Sequence, residues 1–124
     1  MNDSPIDKVN LSDKLRQFDE RWSPRIVGEL NGQHLKLAKL EGEFVWHHHA
    51  HADELFLVLR GHLSMHLRDR IVELAEGELF IVPRGVEHKP VASAETHVLL
   101  LEPMGTLNTG NVRSDHTVEV PERL

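Results

Sequence analysis

Cysteine is absent from the 124-residue sequence, which removes disulfides, thiolate nucleophiles and sulfur ligands together, so any metal site here must be built from imidazole and carboxylate. No apolar run approaches the roughly 20 residues that a membrane helix needs. The start, Met1 to Lys8, is polar and carries Asp3 and Asp7, without the basic opening and apolar stretch of a secretory leader. Cytoplasm is therefore the expected location, and a membrane is not an expected partner. Aromatic residues are few, four Phe and two Trp with no Tyr, and 14 basic residues are outnumbered by 20 acidic ones for a net charge of -6. The charges are mixed along the chain, so no basic stripe exists to neutralise phosphates and few rings exist to stack bases; nucleic acid is not an expected partner. A chain of this length makes one domain that buries about two thirds of its unfolded surface.

From about residue 26 the sequence breaks into short apolar runs separated by turn residues, the rhythm of an all-β sandwich or barrel. His34 to Leu40 alternates loosely through Leu35 and Leu37. Glu54 to Arg60 places Phe56 and Val58 on one face and Leu55, Leu57 and Leu59 on the other, and a strand apolar on both faces is covered on both. Leu63, Met65 and Leu67 alternate with polar residues, and Asp69-Arg70 reads as a hairpin tip returning through Ile71, Val72 and Leu74. Leu79 to Val82, His88 to Ala92 and Thr96 to Leu101 supply the remaining strands, and Phe56, Val58, Met65, Phe80, Val82 and Leu100 are core candidates. Ahead of the strands, Ser12 is placed to cap a short helix through Phe18, with Leu11, Leu15 and Phe18 at helical spacing. This divides the chain into an N-terminal arm with a short helix (1–25), a barrel (26–104) and a C-terminal loop and tail (105–124) with one possible strand, Thr117 to Val120.

Four of the ten histidines fall within five residues, His47, His48, His49 and His51, followed by Asp53 and Glu54. Strand alternation sends His47, His49 and possibly His51 to one face and His48 to the other, so two imidazoles spaced i, i+2 can grip one ion. Glu54 is out of phase with them, so the chain must turn around Ala50 to Asp53 before the next strand returns the carboxylate. Further on, Gly77, Pro83 and Gly85 lead to His88 through a tight corner. Imidazole nitrogens with a carboxylate oxygen suit Mn, Fe, Co, Ni, Cu or Zn better than Mg or Ca.

Here the chain resembles the cupin superfamily, whose motifs are Gly-x5-His-x-His-x3or4-Glu-x6-Gly and Gly-x5-Pro-x-Gly-x2-His-x3-Asn. His47 and His49 as the first pair leave four residues to Glu54 and six more to Gly61; Gly77, Pro83, Gly85 and His88 fit the second motif, with fifteen residues between Gly61 and Gly77. Two positions depart from the pattern. Gly42 lies four rather than five residues before His47, and Ala92 stands where the motif has Asn. The first departure keeps His49 and His51 in play as a rival pair.

The resemblance covers roughly residues 34 to 102. It implies a jelly-roll barrel, the double-stranded β-helix, with one divalent transition metal (Mn, Fe, Ni, Co or Zn) held by His47, His49, Glu54 and His88 and two positions left for water or substrate. His51 is expected at the rim and His48 on the outside, while His34, His62, His66, His97 and His116 are expected on solvated strand faces or in loops. The implied function is a metal-dependent enzyme acting on a small polar molecule, dioxygenase-like or sugar-phosphate-isomerase-like. The alternative is a non-catalytic metal-dependent binding module, favoured by the lack of a recognisable general base; the catalytic residue is unknown, with His51, Glu43, Glu87 and Asp53 the nearby candidates. Without Tyr the chain departs from the sugar-nucleotide epimerase branch, and without Cys from thiol dioxygenases with a Cys-Tyr crosslink. The doubly apolar strand Leu55 to Leu59 makes a homodimer the expected assembly.

Overall fold

The alternating apolar runs form antiparallel strands in the computed structural model, which describes residues 6–124. In chain order these are α1 (Leu11–Leu15), β1 (Arg25–Leu30), β2 (Gln33–Glu43), β3 (Glu54–Arg60), β4 (Leu63–Leu67), β5 (Ile71–Leu74), β6 (Leu79–Val82) and β7 (His88–Pro103). Strands β1, β2, β7, β3 and β6 are hydrogen-bonded in that order, and β4 pairs with both β5 and β7. This is the all-β, jelly-roll class that the sequence implies. Residues 1–5 of the arm, and with them most of the polar start, lie outside the described residues.

β7 closes the barrel. Its beginning pairs with β4, Leu67 opposite His88 and Ser64 opposite Val91, and its remainder lies between β2 and β3. The sequence suggests two strands here, whereas the structure has one that bends where Ser93, Ala94 and Glu95 are exposed. Glycine is required beside that bend: Gly61 has φ 94°, and a Cβ there would lie 2.7 Å from Thr96 Oγ1. Alanine at this position would be strained by the backbone and by the contact.

The interior is filled by alternate residues of each strand. Phe56 and Val58 of β3, Leu63 and Met65 of β4, Val82 of β6 and Val98 and Leu100 of β7 form one buried cluster with Ala38 and Leu40 of β2, and Phe80 packs against it half-buried. β2 therefore points inward with His34, Lys36, Ala38 and Leu40, the opposite phase from the Leu35 and Leu37 alternation seen in the sequence. Leu37 is fully buried on the outer face instead. There Phe18, Val27 and Leu37 make a second cluster, with Leu11, Leu15, Leu35, Leu59 and Leu99 packed on it.

Two expectations at the ends need correction. Asn10, not Ser12, caps α1: its side chain accepts from Asp13 N at 3.0 Å, and the helix stops at Leu15 rather than Phe18. Cap preference is shared by Ser and Asn, so the sequence allows either start. Thr117 to Val120 is no strand, because those backbone groups serve a local knot in which Asn108 accepts from Val118 N and Thr109 and Thr117 hydroxyls bond at 2.7 Å. The tail then ties to β1, with Ile26 N donating to Glu122 O at 2.8 Å. Among the described residues no helix is long and apolar enough to cross a membrane.

Candidate metal centre

The segment between β2 and β3 is joined to the start of β7 by backbone hydrogen bonds, Phe44 N donating to Pro90 O at 3.0 Å ahead of a bridge at His47. His47 N donates to His88 O at 3.0 Å and His88 N to His47 O at 2.9 Å, which sets two imidazoles side by side with ring centres 4.2 Å apart. The tight corner before β7 is docked on the same segment, since Gly85 N donates to His49 O and Arg84 N to Asp53 Oδ1. Glu54 opens β3 with its carboxylate inside the barrel, reached by the turn at Ala50 to Asp53.

These restraints bring His47, His49, Glu54 and His88 together, all buried, each offering one ligand atom within 4.8 Å of the others. His51 is exposed on the rim and takes no part in the cluster, and His48 is half-buried. Glu54 Oε1 lies 3.2 Å from His49 Nε2 and 3.4 Å from His88 Nε2. His47 Nδ1 and His88 Nδ1 bond the carbonyls of Val45 and Val86 at 2.8 and 2.9 Å. A ring nitrogen facing a carbonyl must carry the proton, which leaves Nε2 of both rings with a free lone pair.

The fit to a cation rests on unpaired atoms. His49 Nε2, Glu54 Oε1 and His88 Nε2 are buried without a hydrogen-bond partner, and they face one another. Buried polar atoms are normally satisfied, and an ion among these three would satisfy all of them. Burial, followed by the neighbouring charge of His88, lowers His47 to a pKa of about 4, so this ring is neutral and ready to ligate at neutral pH. Burial alone would raise Glu54, but the adjoining polar groups of Glu102, His49 and His88 outweigh it and hold the carboxyl well below its usual range.

Glu102 and Lys36 are the residues that sequence reasoning missed. Lys36 Nζ donates to Glu102 Oε2 at 2.9 Å, and both side chains are 2% exposed. Burial and the adjoining Glu54 push Glu102 well above the ordinary carboxylate range. The four acid-base candidates named from sequence lie elsewhere: Glu43 binds Lys89, Asp53 binds Arg84 and Glu87 binds Arg68, all at the surface, and His51 is solvated. Each of the three carboxylates is lowered by its partner, Asp53 first by the Arg84 backbone N–H. His34 is buried rather than solvated, and His116 is half-buried against Phe44 with ring centres 5.4 Å apart.

Beside the cluster the barrel holds a cavity of about 30 Å³, room for about one water. Its walls are Trp22, Leu40, Phe44, Phe56, Val98 and Leu100, its polar end is His47, Glu54 and Glu102, and no Lys or Arg lines it. Trp22 stacks on Phe44 with ring centres 4.7 Å apart, whereas Trp46 lies away from the cavity under the Arg68 guanidinium. An open cleft of about 390 Å³ lies on the rim, between His48 to Ala52 and Pro103 to Asn111. The C-terminal loop is fastened there: His48 N donates to Asn111 Oδ1 at 2.8 Å, and Gly110 sits so close that a Cβ would lie 2.2 Å from His48 O.

Residues 33–103 match the family described as Cupin domain. The chain belongs to the cupin family. A cupin-2 domain containing protein from Shewanella frigidimarina, known from its crystal structure, is 46% identical with a TM-score of 0.76, over 77% of this chain and 93% of that one. Uncharacterized protein YdbB of Bacillus subtilis is 31% identical over 94 residues, 75% of this chain and 83% of its own length. Hydroquinone 1,2-dioxygenase PnpCD, solved with Cd2+ and 4-hydroxybenzonitrile, shares the fold alone at 19% identity, with a TM-score of 0.63 over 74% of this chain and 70% of that one.

Proposed function

We propose that this cupin holds one divalent transition metal through His47, His49, Glu54 and His88 and acts on a small molecule bound beside it. The carrying observation is the set of buried, unpartnered atoms, His49 Nε2, Glu54 Oε1 and His88 Nε2, converging within ligand distance of one another and of His47. When bound, such an ion supplies Lewis-acid or oxygen-activating chemistry. The chain's own contribution is to keep His47 neutral, to aim Glu54, and to set the apolar wall of Trp22, Phe44, Phe56 and Leu100 beside the part of a ligand that reaches the metal. Glu102, raised above the ordinary carboxylate range by burial and the adjoining Glu54, places a second carboxyl at that cavity.

Between the two reactions that the cupin resemblance implies, the cavity favours the oxygenase-like one on a weakly polar molecule. A sugar phosphate carries negative charge that needs a cationic partner, and neither the cavity nor the rim cleft has a Lys or Arg in its lining. Elemental analysis of tag-free protein tests the first step, with about one equivalent of metal expected. Single replacement of His47, His49, Glu54 or His88 by Ala should empty the site, whereas His51→Ala should keep the ion with at most about a tenfold loss. An empty His51→Ala protein beside a full His47→Ala protein would reject the ligand set. Oxygen uptake by the iron-loaded protein across phenols and dicarbonyls tests the second step, and binding without uptake would support the binding-module reading.

A further inference from the structure

A row of charged side chains crosses the barrel interior on three neighbouring strands. Lys36 projects inward from β2, Glu102 from β7 and Glu54 from β3, and these strands lie side by side in the sheet. The register pairs Leu55 with Leu101, so continuing the antiparallel ladder sets Glu54 directly opposite Glu102 on the inner face. Lys36 Nζ reaches Glu102 Oε2 at 2.9 Å, while Glu102 Oε1 is buried without a partner beside the Glu54 carboxyl. Glu54 in turn faces His49 and His88, so the row ends in the candidate centre.

Packing does not ask for this arrangement. Two carboxyls directly opposite each other repel when both are charged, and a buried ion pair can usually be exchanged for apolar residues of similar size without loss of stability. The neighbouring inward positions are Ala38, Leu40, Val98 and Leu100, so an apolar continuation would suit the barrel. What the row does supply is a fixed direction for the Glu54 carboxylate, held from behind by a group that Lys36 itself anchors.

We propose that Lys36 and Glu102 are positioning residues for the metal centre, holding Glu54 in the orientation that ligates. The proposal rests on the metal reading given above. It assigns to the pair a part in ion affinity and ligand field rather than in folding.

Cobalt(II) is the probe, because its visible spectrum reports the arrangement of its ligands and its affinity can be read by competition with a chelator. The wild type should bind one equivalent and His88→Ala none; a wild type that binds no cobalt would sink the metal reading and this proposal with it. Glu102→Gln keeps the shape of the side chain and an oxygen that accepts from Lys36, so its spectrum should match the wild type and its affinity stay within about threefold. The double variant Lys36→Met/Glu102→Leu should bind about 10- to 100-fold more weakly with an altered spectrum. Its metal-free form should be as resistant to urea as the wild type or more so. If the double variant binds cobalt with wild-type affinity and spectrum, the pair is structural only and the proposal fails. Should that variant not fold, Glu102→Asp, which keeps the carboxyl but shortens the reach, must show the same weakening and the same spectral change; an unchanged centre there would equally overturn it.

Discussion

Acidification of the metal-free protein should cost stability through His47 in particular. In the unfolded chain this imidazole takes a proton near its ordinary 6.5, whereas in the barrel burial and then the charge of His88 lower it to about 4. Between those values the unfolded state binds more protons than the folded one, so stability rises with pH across the window and is lost as pH falls. Integrating one proton over a shift of about 2.5 units gives a loss of about 2 kcal/mol by about pH 5 and about 3 kcal/mol by about pH 4. That is a large part of the roughly 5–15 kcal/mol that holds a domain together. Burial, with the charges of Lys36 and Arg123, lowers His34 and adds in the same direction. Glu102 acts oppositely: its folded pKa is raised, so its contribution is present below about 4.5 and lost as pH rises. The decisive comparison is therefore with His47→Gln, which cannot titrate and which keeps His34 and Glu102. Urea unfolding of chelator-treated protein, followed by tryptophan fluorescence at several pH values, should show the variant losing about 2–3 kcal/mol less than the wild type on going to about pH 4. Parallel pH dependence in the two proteins would refute the reasoning.

Light scattering should report a mass near twice the 14.2 kDa of the chain, because Leu79 and Ile81 of β6 are half exposed and stand opposite Leu57 and Leu55, an apolar patch on the outer face that α1 does not reach. Ile81→Glu should return the monomer mass; a wild type already at that mass would reject the dimer. Gly110→Ala should destabilise the C-terminal segment by about 1–3 kcal/mol, since its Cβ would collide with His48 O, and limited proteolysis should then cut beyond residue 104 before the barrel opens. Equal protection of both proteins would contradict this. Asn10→Ala should cost up to about 1 kcal/mol, while Ser12→Ala should be nearly neutral in the same urea assay.

The strands and the His-Glu cluster were legible because their signals are local. Turn residues bound each run, and the spacing of His47, His49, Glu54 and His88 alone places four donors together. The phase of β2 was not legible. Alternation tells inner from outer face only when one face meets water, and here the inner face lies in the barrel while α1 and Phe18 cover the outer one. Leu35 and Leu37 thus looked like the core side, and Lys36 and His34 like the solvated one. Glu102 was hidden for a related reason, since a carboxylate between a leucine run and a proline reads as the end of a strand at the surface. Only the register of β7 against β3 shows that it stands opposite Glu54.

The phase of β2 bears on function. Had Leu35 and Leu37 pointed inward, Glu102 would still stand opposite Glu54 through the register of β7, but no lysine would meet it inside the barrel. With Lys36 and Glu102 inside, the interior is divided along β7: Val98 and Leu100, with Leu40 and Phe56, form the dry wall, while Glu102 continues the polar end toward Lys36. A ligand that reaches the cavity then meets one carboxyl set among the imidazoles and another held by a lysine. Replacing either carboxyl alone leaves the other beside a cation or an imidazole, so their effects should not add. Coupling between Glu54 and Glu102, measured in a double-mutant cycle of the metal-free protein's resistance to urea, is the quantity that separates a shared polar end from two independent side chains.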